Sequence, residues 1–264
     1  MTTSQTAAAE AAHSPGSRRT IPVSSVRIPH VCSPSMRLSA LSRSPWLRSL
    51  DDSQLRALDA TMTRRCWAAG EQLFRTGEDA DALFVVAEGR VKLSQLRSDG
   101  SEVVTDIVGP GVLLGVIRTE GHRIQRETAE ALVDTCTLRV PQAVFRRVLL
   151  ENPSVAVQVI EEVTDRLARA QDETGGRMSR PVAVRLAAVL LRLSATLGRD
   201  RGAGGILLEV PLSRADIAGL TGSTPESVSR VLSRWKDEAV VDSGRRWVAL
   251  LDVDRLQRIA LEGA

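Results

Sequence analysis

Apolar and polar residues alternate in short runs from Gly70 to Leu93, and glycines interrupt the runs at intervals. Gly70-Glu71-Gln72-Leu73-Phe74-Arg75-Thr76-Gly77-Glu78-Asp79-Ala80 reads as strand, turn, strand, and Leu83 to Leu93 continues the alternation. Asp99-Gly100 between two alternating runs predicts a hairpin, and Gly109-Pro110-Gly111 predicts another corner. Strands this short with turns this frequent predict a sandwich or barrel. A helix is expected ahead of them, started by Asp51-Asp52 and carrying Leu55, Leu58 and Met62. Beyond Pro153 the spacing turns helical: Ala156, Ile160, Val163, Leu167, Ala170 and Thr174 step by fours and threes, a heptad seam flanked by Glu161, Glu162, Asp165, Arg166 and Arg169. Gly175-Gly176 weakens that helix and Pro181 starts the next, Val182 to Leu197, so Gly175 to Pro181 is the expected hinge. Arg177, Arg180 and Arg185 cluster there and could approach phosphates.

The most legible chemistry lies between Pro211 and Leu250. Ser213 is a hydroxyl N-cap for a short helix that Thr221-Gly222-Ser223 ends. Thr224-Pro225-Glu226 starts another, with Thr224 as cap and Pro225 at the first helical position. In that second helix Val228, Val231, Leu232 and Trp235 share one side, whereas Glu226, Ser229, Arg230 and Ser233 share another. A guanidinium fork matches guanine O6 and N7, a carboxylate accepts from a base amino group, and a hydroxyl serves either. Val240 to Leu250 then reads as strand, tight turn, strand, with Arg245 and Arg246 near the tip for a phosphate backbone. Together these predict a winged helix-turn-helix whose DNA contacts are Glu226, Ser229, Arg230 and Ser233, the caps Ser213 and Thr224, and Arg245 and Arg246.

Leu212-Ser213-Arg214-Ala215-Asp216-Ile217-Ala218 followed by Glu226-Ser227-Val228-Ser229-Arg230 resembles the DNA-binding signature of the Crp/Fnr superfamily of bacterial transcription regulators. The E-x-x-S-R form resembles the Fnr-like branch; the Crp branch carries Arg before the Glu and Gly for the Ser, where this chain has Pro225 and Ser229. The pattern Gly70-Glu71-x-Leu73-Phe74 through Glu88-Gly89-x-Val91 is similar to the superfamily's cyclic-nucleotide-binding fold. The resemblance runs from about Leu38 to the C-terminus. After a tail over 1–36 that composition predicts to be disordered, it implies an α+β chain: a β-roll sensor over 37–152, a dimerisation helix over 153–176 and a winged helix-turn-helix over 177–264. It also implies a cytoplasmic homodimer on double-stranded DNA, reading a palindromic TTGA-like site, and contact with RNA polymerase, for which the loop Arg199 to Gly205 is the candidate. The seam Ala156, Ile160, Val163, Leu167 and Ala170 is the expected dimer contact.

Composition narrows the possibilities. The 264 residues are 43% hydrophobic and carry a net charge of +3, so phosphate contacts depend on local placement rather than bulk charge. Between 213 and 247, Arg214, Arg230, Arg234, Lys236, Arg245 and Arg246 face Asp216, Glu226, Asp237, Glu238 and Asp242. No apolar run approaches the roughly 20 residues needed to cross a bilayer, and residues 1–36, rich in Ala, Ser, Thr and Pro, lack the continuous apolar core of a signal peptide. No nucleophile-base pair or phosphate loop is found, which argues against an enzyme. Cys32, Cys66 and Cys136 look too few and too scattered for a disulfide framework or a metal site. The founder of the Fnr branch holds an iron-sulfur cluster on four thiolates, which three cysteines cannot supply. A redox-responsive Cys66 or Cys136 stays open.

The resemblance also places an effector pocket. Cyclic-nucleotide-binding members set an acid for the ribose after a Gly corner, then an Arg-Ser pair for the phosphate. Here Gly115 closes the corner, Val116 takes the acid's place, and the pair falls on Arg126 and Glu127. Ala170 and Gln171 stand where such members place hydroxyls toward adenine. Cyclic AMP is therefore not expected, and Arg126 is expected to pair with Glu127 or Glu130. His122, beside Glu120 and Arg123, is a candidate haem ligand but reads as a solvated side chain; no cofactor is predicted. The alternative function is an effector-sensing interaction module with degenerate DNA binding.

Overall fold

Ser33 caps helix α1 (Pro34–Ser42), its hydroxyl accepting from the Met36 N–H at 3.2 Å. The helix therefore begins inside the stretch expected as a loose tail, and Cys32 just before it is buried in the core. The computed structural model describes residues 32–97, 102–117, 124–175, 180–202, 205–244 and 247–262, without the side chains of 169–175. Residues 1–31, the Asp99-Gly100 turn, His122 with its loop, and Arg177 lie outside that description. Helix α2 (Asp52–Ala60) follows a capping box in which Asp51 accepts from Ser53 and Gln54 while Gln54 accepts from the Asp51 N–H.

The roll consists of two four-stranded sheets. One runs β1 (Thr63–Trp67), β8 (Thr135–Pro141), β3 (Ala82–Glu88), β6 (Leu113–Leu114); the other runs β2 (Gln72–Phe74), β7 (Thr128–Ala131), β4 (Val91–Leu96), β5 (Glu102–Val108). Strand β3 explains why two layers form. Its alternate side chains Leu83, Val85 and Ala87 enter one core with Trp46, Phe145 and Leu138, whereas Phe84 and Val86 enter a second core with Leu93 and Leu114. Gly89 turns the chain after β3 at φ +93°; a Cβ there would stand 2.3 Å from the Thr135 hydroxyl, so only glycine fits. Cys66 and Cys136, expected to be scattered, are opposed across β1 and β8, and Cys32 joins their core. Strand pairing brings together what chain separation concealed.

Helix α3 (Gln142–Glu151) leads into α4 (Pro153–Gly175). Val155 and Val159 of α4 face inward to Trp46 and Leu47, while Arg48 reaches Glu161 at 2.6 Å. The adjoining face leaves Ile160 65%, Val163 51% and Leu167 56% exposed. Of the rest of the expected seam, Ala156 is half-buried and the Ala170 side chain lies outside the described residues.

The C-terminal part contains α5 (Val182–Leu197), β9 (Gly198–Gly202), β10 (Gly205–Leu208), α6 (Arg214–Thr221), α7 (Pro225–Asp237), β11 (Val241–Gly244), β12 (Trp247–Leu250) and α8 (Val253–Leu261). Its strands order as β11-β12-β10-β9. The segment from Arg199, expected as a loop, is thus strand: β9 pairs with β10, and β10 in turn with β12. Val104 and Ile107 of β5 share a core with Leu190 of α5 and Ile217 of α6, so the roll packs directly on the helix-turn-helix. An ion pair between Arg192 and Asp106 ties α5 to the same strand.

Candidate nucleic-acid interface

Helix α7 is held by one face and free on the other. Val228, Leu232 and Trp235 are buried at 0–1% exposure among residues of α5, α6 and the strands. Their spacing forces Glu226, Arg230 and Ser233 outward, and all three are exposed; Ser229 is half-buried beside them. The structure therefore brings together the four residues that the helical pattern assigned to one face.

Ser213 and Thr224, also named as DNA contacts, act locally as caps. The Ser213 hydroxyl accepts from the Asp216 N–H at 3.0 Å, and Asp216 accepts in return from the Ser213 N–H at 2.7 Å. Thr224 accepts from the Ser227 N–H at 3.3 Å. Both caps are exposed, so each orients the start of a helix at the outer surface. Gly222 closes α6 in the left-handed conformation at φ 55°, which sets the bend between the two helices.

Electrostatics favour the ionised form of Glu226. The Glu226 carboxyl is held below its ordinary value, first by its own backbone N–H and then by the Thr224 hydroxyl, with Arg230 assisting against slight desolvation. It is an acceptor only. Arg230 Nη2 donates to Ser227 Oγ at 3.3 Å, leaving most of its fork unengaged by that bond. Other cations nearby are spent internally: Lys236 pairs with Asp242 at 2.8 Å and Arg234 with Glu238 at 3.8 Å. Arg214 donates to Ser243 Oγ at 3.0 Å, fastening α6 to the wing strand β11. Arg245 and Arg246 lie outside the described residues, but β11 and β12 that lead to them pair from Val241–Leu250 to Gly244–Trp247.

Arg185 is a correction. Expected near phosphates, it is only 9% exposed and donates to the Gly222 carbonyl at 3.0 Å, bracing the turn from behind. Helical spacing on α5 turns it to the core side, whereas Arg180 is exposed.

A second site lies in the roll. Gly115, Val116, Arg126 and Glu127 line one cavity of about 160 Å³ together with Phe74, Leu93, Leu114, Gln125 and Arg166. Four of the six pocket residues named from the sequence thus converge, and the side chains of the other two, Ala170 and Gln171, lie outside the described residues. Arg166 of α4 escaped the sequence reading because its heptad position marks it only as a flank; it donates to Leu113 O at 3.1 Å and Glu162 at 2.9 Å. Of the two partners expected for Arg126, Glu130 pairs with Lys92 at 3.3 Å, and Glu127 lies in the opposing fields of Arg166 and Asp106. Burial pushes the Glu127 carboxyl above its ordinary value, against Arg166 and a Gln95 hydrogen bond. Gln125 Oε1 is buried with no partner, an acceptor without a donor.

Comparison with known proteins agrees with this architecture. Residues 64–152 match the model of the cyclic nucleotide-binding domain, and residues 184–259 match that of the Crp-like helix-turn-helix domain. The chain is 30% identical to the transcriptional activator protein Anr of Pseudomonas protegens over 216 residues, 80% of this chain and 86% of that one. It is 23% identical to the CRP-like cAMP-activated global transcriptional regulator of Mycobacterium tuberculosis, over 83% of this chain and 98% of the relative. The solved structure of FixK2 from Bradyrhizobium japonicum superposes with a TM-score of 0.66 at 26% identity, covering 77% of this chain and 99% of that one.

Proposed function

Because the chain belongs to the Crp/Fnr family of transcription regulators, we propose that it binds as a homodimer to a palindromic site with TTGA-like half-sites. The observation that carries this reading is that Glu226 and Arg230 stand exposed beside half-buried Ser229, on a helix whose other face buries Val228, Leu232 and Trp235. Arg230 reads guanine O6 and N7, and Glu226 and Ser229 fix the neighbouring bases. Two such helices related by two-fold symmetry read half-sites about 34 Å apart, one helical turn. The apolar stripe of Ile160, Val163 and Leu167 on α4 supplies the partner contact. Arg245 and Arg246 are assigned to the phosphate backbone, and RNA polymerase is the expected partner in activation. An interaction module with degenerate DNA binding is disfavoured by the exposure of Glu226 and Arg230.

A cyclic nucleotide does not suit the roll. Val116 offers the ribose no acceptor, and the Glu127 carboxyl stands where a cyclic phosphate would need a hydroxyl. The cavity is also smaller than the roughly 300–1,000 Å³ usual for ligand pockets. Its chemistry suits a small effector that donates to Gln125 Oε1 and carries negative charge for Arg126 and Arg166.

Selection of bound duplexes from a random library tests the main reading. The wild type should enrich a palindrome, and Arg230→Ala should lose about 1–3 kcal/mol and relax preference at one base per half-site. An unchanged preference in the variant would remove Arg230 from base readout.

A further inference from the structure

All three cysteines of the chain occupy one place in the roll. Cys66 on β1 and Cys136 on β8 are direct partners in an antiparallel ladder, and their sulfurs lie 3.8 Å apart. Opposed residues in such ladders have Cα atoms about 4.5–5.5 Å apart, inside the roughly 4.4–6.8 Å that a disulfide spans. Closing the sulfurs to about 2.05 Å therefore requires side-chain adjustment rather than travel of either strand. Cys136 is fully buried, whereas Cys66 is half-buried and offers an edge to solvent. Among the described residues no group of three His, Cys, Asp or Glu side chains is arranged to hold a metal ion, which separates this cluster from a metal centre.

We propose that Cys66 and Cys136 form a hydroperoxide-oxidisable dithiol, a modification site distinct from the DNA-reading face and from the roll cavity. The Cys66 sulfur attacks the peroxide, the O–O bond breaks, and the products are a Cys66 sulfenic acid and water or an alcohol. Cys136 then attacks the Cys66 sulfur, the S–O bond breaks, and the hydroxyl departs with the Cys136 proton as water. Two thiols lose two electrons to the peroxide, and a dithiol reductant reverses the change. Cys32 assists by accepting the Cys136 proton as that attack begins and passing it to the departing hydroxyl. Its thiol is held below the ordinary value first by a hydrogen bond from Cys136, with Arg37 and Arg64 contributing, against burial and Glu88. Cys136 is pushed upward by Cys32 and by burial, so it keeps its proton until it attacks. Strand β8 runs through Pro141 into α3 and then α4, which places the bond at the root of the helix carrying the exposed apolar stripe.

The test uses the full chain, reduced, exposed to hydrogen peroxide, quenched, denatured and alkylated with N-ethylmaleimide before mass spectrometry and peptide mapping. The expected product carries a single maleimide, on Cys32, and an intramolecular Cys66–Cys136 link that dithiothreitol removes. Cys32→Ser should still form the link, more slowly, and Cys66→Ser should form none. Full alkylation of every thiol after peroxide, a link through Cys32, a link between two chains, or oxidation to sulfinic acid without a link would each overturn the proposal. None of these readouts involves DNA, so their outcome is independent of the DNA-binding reading.

Discussion

Replacing Leu167 by Ala tests the α4 stripe with little disturbance of the fold. The substitution deletes three carbon atoms, each worth ~0.8 kcal/mol on full transfer from water, or about 2.4 kcal/mol in all. Leu167 is 56% exposed in the protomer, so slightly over half of that, roughly 1.3 kcal/mol, is gained only on pairing. Two-fold symmetry counts the residue twice, giving about 2.6 kcal/mol and a dimer roughly 70-fold weaker. Ala has the higher helix propensity, so circular dichroism should show an intact helix. Sedimentation equilibrium over a concentration series measures the change directly. Leu150 on α3 is 67% exposed and off the stripe, so Leu150→Ala is the matched control and should leave dimerisation unchanged. Equal dissociation constants for wild type, Leu167→Ala and the control would refute the assignment of this face.

The cavity and the turn offer further checks. Arg185→Leu removes the donor to the Gly222 carbonyl and should cost about 1–3 kcal/mol, lowering Tm by about 2–4 °C per kcal/mol; an unchanged melting curve would show that the brace is idle. Glu127 is raised by burial, so its contribution to stability is present below its unfolded pKa and is lost as pH rises through its folded value. Glu127→Gln should therefore gain on the wild type between pH 4 and pH 8 in denaturant titrations, and parallel profiles would count against a desolvated carboxyl.

The recognition helix was readable because its two faces differ in chemistry as well as in spacing. Pro225 and the hydroxyl caps marked its start, and one buried Trp235 marked its inner side. Helix α5 was bounded correctly at Val182 to Leu197, with Pro181 marking its start. Four pocket residues followed from counting along a known pattern, yet Arg166 did not, because only packing of α4 on the roll turns it toward the cavity. The cysteine cluster was hidden for a similar reason: its members are 34 and 70 residues apart in order along the chain, and only the register Cys66–Cys136 joins the latter two. Arg199–Gly205 looked like a loop because its charged residues mask pairing, but edge strands tolerate such residues.

The packing of roll on helix-turn-helix was not visible in any local pattern, and it depends on a residue that looks expendable. Gly219 sits inside α6, where Ala would ordinarily improve the helix by about 1 kcal/mol. A Cβ on Gly219 would stand 3.0 Å from the Val104 nitrogen and 3.2 Å from its carbonyl oxygen. Both are backbone atoms of β5, so neither can rotate aside; the strand or the helix must shift. Overpacking of this kind costs about 1–3 kcal/mol, which exceeds the helical gain. Gly219→Ala should therefore destabilise the chain by a net amount of up to about 2 kcal/mol. The loss should concentrate where β5 meets α6, leaving the core around Trp235 intact. Hydrogen exchange resolves the difference: amides of 103–108 and 214–221 should exchange faster, while those near Trp235 keep their protection. A variant that melts higher than the wild type with unchanged exchange along β5 would mean that the two parts are not in contact through this glycine.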